Sequence, residues 1–222
     1  MIVAKDVNFS YPDGTSALHD INLEIGNNEM TYIIGPSGSG KTTLLKLFMG
    51  IEFPTTGTLK VFNRPVVKGQ NKKIKELRRH IGPVFQDFKL INGRSAMDNI
   101  ILGMRFLNIS SQVMKNNAKE ALERVGLTHK KSTPVENLSF GERQRIAIAR
   151  AVARKPILIL ADEPTGNLDK ENAQNILKLL TSFKSKDTTV IITTHATHLI
   201  NGEKDSMLIS IDKGRITVER LG

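Results

Sequence analysis

The stretch IIGPSGSGKTTLL, Ile33–Leu45, places three glycines and two serines around one lysine, between two apolar segments. Glycine gives up more conformational freedom on folding than any other residue and brings no side chain to pack. Such a stretch has no place inside a strand or a helix. The apolar residues on either side make it a loop between a buried strand and a helix. Gly35 to Thr42 also fits G-x-x-x-x-G-K-[ST], the phosphate-binding loop. Background composition produces such a match by chance in roughly 1% of chains this long. Its glycines let successive N–H groups turn inward, and the helix that follows adds the positive end of its dipole. Lys41 is expected to reach the β- and γ-phosphates of a nucleotide, and the Thr42 hydroxyl to bind the Mg2+ that bridges them. The candidate nucleotide-binding residues here are Gly35, Pro36, Ser37, Gly38, Ser39, Gly40, Lys41, Thr42 and Thr43.

This loop occurs in kinases, GTPases and motor ATPases, so it names no reaction. The rest of the chain narrows the choice. MIVAKDVNFSY and ALHDINLEI alternate apolar and polar residues, as half-buried strands do, with YPDGT as the turn between them. EMTYIIG, PILILADEP and TTVIITTH read as buried strands. Helices are expected over about 41–49, 112–125, 141–154 and 170–183, and a helical pattern from Ser95 carries Met97, Ile100, Ile101 and Met104. THKKSTPVEN reads as a polar loop, and SMLISIDKGRITVER as a terminal hairpin around Asp212-Lys213-Gly214. Strands alternating with helices imply a mainly parallel sheet, and the opening hairpin implies an antiparallel layer beside it. Pro83, before Gln86, cannot donate to a ladder and puts its strand at an edge or breaks it.

Two constellations carry chemistry. Asp162 and Glu163 end the apolar run ILILADEP, and the carboxyl end of a strand is where α/β sheets bind ligands. Asp162 can help to hold Mg2+, and Glu163 can orient and deprotonate a water, although a polar strand end before a turn has the same composition. In LSFGERQR, Ser139 and Glu142 fit a capping box at a helix start. A serine and a glycine at a helix N-terminus also suit an anion, so Ser139 and Gly141 stand as candidates beside Glu142.

The phosphate loop, LSFGE, ILADEPTGNLD and TTH follow one another in an order and spacing that resemble the ABC-type ATPases, the nucleotide-binding subunits of ABC transporters. The resemblance covers essentially the whole chain. It implies one ABC-type ATP-binding domain over residues 1–222: an α/β P-loop NTPase core with a mainly parallel sheet, an antiparallel β layer, and a helical subdomain inserted at about 87–138. It further implies hydrolysis of ATP with Mg2+, in a homodimer formed on ATP binding. By the same resemblance, Ser139 and Gly141 would face the γ-phosphate held by the other subunit, with Phe140 where the family has glycine. Gln86 would be the catalytic glutamine, binding Mg2+ with Thr42 and Asp162. His195 would touch the γ-phosphate, with Ala196 where aspartate is common. Tyr11 would stack on adenine, and Asn167-Leu168-Asp169 would cross the dimer interface. VFQDFKLINGRSAMDNI, Val84–Ile100, resembles the bacterial cell-division branch of the family, whose members pair with a four-span membrane protein of the FtsX type and regulate cell-wall hydrolases.

Composition sets outer bounds. The chain has no cysteine, which excludes thiolate metal sites and a cysteine nucleophile. Its net charge of +10 favours anionic partners, but the basic run NKKIKELRRH lacks the aromatic interleaving of a single-strand binder, and no direct nucleic-acid partner is expected. No leader and no apolar run of spanning length is visible, and the resemblance implies a cytoplasmic location, peripheral on the inner face of the plasma membrane. A lipoprotein or macrolide/peptide exporter, a soluble ABC ATPase acting on DNA or ribosomes, a P-loop kinase and a non-hydrolysing scaffold remain as alternatives.

Overall fold

The structure is a computed structural model and describes residues 1–166, 168–200 and 204–222. Two sheets organise it. In the first, β1 (Ile2–Ser10) pairs antiparallel with β2 (Ser16–Ile25) and with β4 (Thr56–Val61), and β4 pairs with the short β5 (Arg64–Pro65). Burial along β1 follows its apolar positions, with Ile2, Ala4, Val7 and Phe9 all buried. The second sheet has the order β10-β9-β3-β8-β7-β6. Here β3 (Met30–Ile34), β6 (Ile81–Val84), β7 (Leu158–Ala161), β8 (Thr189–Thr194) and β9 (Ser206–Asp212) run parallel to their neighbours, and β10 (Arg215–Leu221) returns antiparallel.

Both faces of this second sheet are covered, which is why β7 and β8 are buried at every position. The pleat sorts their side chains. Tyr32, Ile159, Ala161, Val190 and Ile192 enter a core shared with α3 (Ala96–Leu102), α4 (Ser111–Arg124), α5 (Phe140–Val152) and α6 (Lys170–Thr181). Their neighbours Ile33, Leu158, Leu160 and Ile191 enter a second core with α1 (Lys41–Phe48), α2 (Asn71–Arg79) and the antiparallel sheet. On α2, the basic run buries Ile74 and Leu77 and exposes its lysines. Each fully buried Leu, Ile or Phe contributes about 1.5–3 kcal/mol by leaving water, and Phe48, Leu47 and Ile191 are all at 0% exposure.

Pro83 does mark an edge. β6 ends the sheet, with β7 alone beside it and Pro83 in register with Leu160. The helix expected from about 141 starts at Phe140, where Ser139 supplies the cap. Two local expectations need correction. The pattern from Ser95 stops being α-helical at Leu102, so Met104 is buried from a turn beyond it. The polar loop 128–137 holds two 3-10 turns, Thr128–Lys130 and Val135–Asn137. Of the expected interface loop, Asn167 lies outside the described residues, and Asp169 caps α6 through the Asn172 N–H at 2.9 Å.

The exit of β3 is tightly enclosed. Gly35 has φ +153°, and a Cβ there would sit 2.2 Å from the Ile211 carbonyl oxygen of β9; at Gly38, φ is +78° with no atom within 4 Å. Gly38→Ala should therefore cost about 1–2 kcal/mol, the penalty of a left-handed backbone alone. Gly35→Ala should cost about 3 kcal/mol or more, since backbone must move as well. Urea unfolding of the two variants measures the difference.

Candidate nucleotide and phosphate site

Five segments converge at the carboxyl end of the parallel strands. The loop 35–40 leaves β3 and feeds α1, whose first residues are Lys41 and Thr42. The turn at Lys213-Gly214 braces it from behind, with the Gly214 N–H donating to the Ser39 carbonyl at 3.1 Å. A cleft of about 640 Å³ opens over the loop, and Tyr11, Ser16, Ala17, Gln86, Glu163 and His195 line its other walls. That volume suits a small organic ligand such as a nucleotide.

Lys41 is 6% exposed. Its ammonium donates to the carbonyls of Gly35 at 2.8 Å and Pro36 at 2.9 Å, and lies 3.2 Å from Glu163 Oε1. The buried cation is thus held at the loop's centre by its own backbone and a carboxylate. The other Glu163 oxygen meets His195 Nδ1 at 2.8 Å and accepts from the His195 N–H at 3.2 Å. Glu163 itself has φ +45°, a left-handed backbone that a non-glycine residue enters uphill. Its neighbours on both sides fix it there.

Asp162, one residue earlier, accepts from the Thr42 hydroxyl at 3.1 Å and from the Thr193 hydroxyl at 2.8 Å. The Thr193 oxygen accepts in turn from the Glu163 N–H at 2.9 Å. Burial pushes the Asp162 carboxyl above its ordinary range; the Thr193 and Thr42 hydroxyls pull the other way without cancelling it. Thr193 did not stand out among the candidates. Its signal was a hydroxyl inside the apolar run VIITT, where a buried polar group must find a partner. Ser16 and Ala17, also in the cleft wall, left no recognisable signal.

Tyr11 stands at the far wall, its hydroxyl 2.7 Å from Thr43 Oγ1 and its ring edge-on to Phe9 at 4.8 Å. Gln86 is exposed on the loop after β6. Ser139, Gly141 and Glu142 do not line this cleft. They form the N-terminus of α5, with a reciprocal capping box: Ser139 N–H to Glu142 at 2.8 Å, and Glu142 N–H to Ser139 Oγ at 3.3 Å. The Ser139 N–H, with Lys130 adding to it, holds the Glu142 carboxyl below its ordinary range. Among the described residues no group of three His, Asp or Glu side chains is placed to hold a metal. The oxygen donors at the site are instead the Thr42 hydroxyl, the Asp162 and Glu163 carboxylates and the Gln86 amide in the cleft wall.

The raised Asp162 has a consequence of definite sign. Folding takes up a proton between its ordinary and its raised value, so the charged carboxylate costs stability above that window and stops doing so below it. Asp162→Asn keeps an oxygen acceptor for both threonines and removes the charge. The nucleotide-free variant should melt no lower than the parent at pH 7.5, with an advantage that shrinks as the pH is lowered towards 4. Differential scanning calorimetry across that range reads it.

Comparisons with known proteins identify the family. The model of the ABC transporter family matches residues 18–166. The cell division ATP-binding protein FtsE of Bacillus subtilis is 37% identical over 216 residues, covering 97% of this chain and 94% of the relative. FtsE of Escherichia coli K12 is 38% identical over 213 residues, covering 96% of each. Among solved structures, the dimeric post-hydrolysis state of the ATP-binding cassette MJ0796, bound to ADP and Pi, superposes with a TM-score of 0.89 at 32% identity over 100% of this chain and 99% of that one. The likeness runs along nearly the full length of the chain, and the chain belongs to the ABC transporter ATP-binding subunit family.

Proposed function

We propose that this chain is an FtsE-like ATP-binding and ATP-hydrolysing subunit, one domain over residues 1–222 with a helical subdomain at about 87–138. On this reading it couples ATP-driven dimerisation to an FtsX-like integral membrane protein that controls cell-wall hydrolases. One observation carries the hydrolytic part: Glu163, at the end of β7, is held between Lys41 at 3.2 Å and His195 at 2.8 Å in the wall of the cleft. A general base has to be fixed in this way, within reach of a water and beside the cation that meets the phosphates.

The chemistry follows from the residues. The N–H groups of the loop and Lys41 receive the β- and γ-phosphates, and Tyr11 at the opposite wall stacks on the base. Glu163 accepts a proton from water as the water oxygen bonds to the γ-phosphorus. The bond from that phosphorus to the bridging oxygen breaks, leaving ADP and phosphate. His195 holds the carboxylate in line and contacts the γ-phosphate. Thr42, Asp162 and Gln86 fit Mg2+, a hard cation that takes oxygen ligands and draws most of them from phosphates and water. When bound, it neutralises charge that builds on the β- and γ-oxygens. The Ser139 turn does not line its own cleft, which suits a head-to-tail pair in which Ser139 and Gly141, with Glu142 fixing the turn, close on the partner's nucleotide.

On this reading the membrane partner docks in a groove beside the Gln86 loop. The groove has a volume of about 300 Å³, with Phe85, Ile91, Leu102 and Phe106 on its floor and rim and Lys89 at its edge. Phe106 is 81% exposed and Ile91 51%, which is far more than a helix-packed core requires. Such a groove fits an amphipathic cytoplasmic helix with an acidic residue, whose position would shift as the dimer opens and closes. Among the described residues no helix is long and apolar enough to cross a membrane, so attachment to the inner face of the membrane would come through that partner.

Two measurements test the reading. Glu163→Gln should lower kcat by about 10² to 10⁴-fold and trap an ATP-bound dimer in size-exclusion light scattering; a monomer at saturating ATP and Mg2+ overturns the paired site. Affinity purification from native membranes should recover a four-span integral protein, and Phe106→Asp should abolish that recovery while ATP binding persists. Recovery of ribosomal or DNA-repair proteins, or of an export complex, overturns the assignment.

A further inference from the structure

The residue that departs from the family's signature is Phe140, and its contacts are specific. Its ring packs edge-to-face on Phe88, with centroids 4.8 Å apart and planes at 67°. Phe88 is 8% exposed and sits two residues after Gln86. Arg143, one helical turn beyond Phe140, lies over both rings, 5.9 Å from one centroid and 6.0 Å from the other. Its Nε is buried without a hydrogen-bond partner, and both rings lie within cation–π range of its guanidinium. Two turns further along the same face of α5, Arg150 donates to the carbonyls of Phe88 and Lys89.

The loop cannot hold this shape by itself. Phe88 and Lys89 have φ +61° and +49°, two consecutive left-handed residues that are not glycine. The face of α5 built from Phe140, Arg143 and Arg150 keeps them there. At one end of this assembly Gln86 lines the nucleotide cleft; at the other, Ser139 caps the helix that Phe140 begins. We propose that Phe140 is a positioning residue that ties the Ser139 turn to the Gln86 loop, so that nucleotide in a subunit's own cleft sets the placement of the turn offered to the other subunit. A glycine at 140 removes the aromatic part of that connection and leaves it to Arg143 and Arg150. The catalytic consequence rests on the paired-site reading above; the tie itself does not.

Hydrogen exchange on the full-length, nucleotide-free protein tests the tie directly. The Phe88 and Lys89 amides are hydrogen-bonded, to Phe85 at 3.0 Å and Asp87 at 2.6 Å, and report on the loop. Phe140→Gly should speed their exchange by up to about tenfold, as expected for loss of an aromatic pair. Phe88→Ala should speed exchange in 140–143 similarly. The double variant should be no faster than the faster single one, which is the mark of a shared contact. Phe140→Tyr should restore the parent rates. In ATP hydrolysis, Phe140→Gly should lower kcat by about tenfold with KM for ATP within about two-fold, and Phe140→Tyr should recover it. Unchanged exchange at 88–89, or an unchanged kcat, overturns the proposal. If Glu163→Gln fails to dimerise, the paired-site reading falls while the exchange result still decides the tie.

Discussion

The site depends on one hydroxyl. Thr193, fully buried in β8, donates to the Asp162 carboxylate and accepts from the Glu163 N–H. That single oxygen sets the position of the acid that meets Thr42 and the backbone of the residue that meets Lys41 and His195. A buried carboxylate without such donors would take up a proton. A glutamate with left-handed backbone and no anchor would relax to an ordinary turn. The phosphate loop supplies the cradle, but the orientation of the acidic pair comes from a neighbouring strand.

That neighbour is adjacent because the sheet is wound in a particular order. β3 lies between β8 and β9, and β7 lies beyond β8, so the loop after β3, the acids after β7 and the histidine after β8 emerge side by side. The sheet can be wound this way because α3 to α6 cover one face, while α1, α2 and the antiparallel sheet cover the other. Function is therefore gathered at one end of the molecule from segments more than a hundred residues apart in sequence.

Much of this was legible before any coordinates. The glycine–lysine loop, the apolar runs ending in Asp162-Glu163 and His195, and the terminal hairpin at Lys213-Gly214 each state a local structure with a mechanism, and each is present. Strand order was not legible, since periodicity shows that β3 and β8 are buried but not that they pair. For the same reason Thr193 passed unnoticed: its value lies in what it touches across the sheet. Ser139 was read both as a cap and as an anion site, and within one subunit the geometry displays the cap. Phe140 was visible as a departure from the family's pattern, while its contact with Phe88 required the loop's left-handed backbone.

The two edges of the large sheet carry a further consequence. At one, Pro83 removes an N–H from β6. At the other, β10 presents Arg215, Glu219 and Arg220 on an exposed strand. Neither border offers a flat apolar template to another chain's backbone. Stacking of copies by continued β-pairing, the route to fibres and precipitates, is thereby disfavoured, and self-association is steered to the end of the molecule where the loops meet.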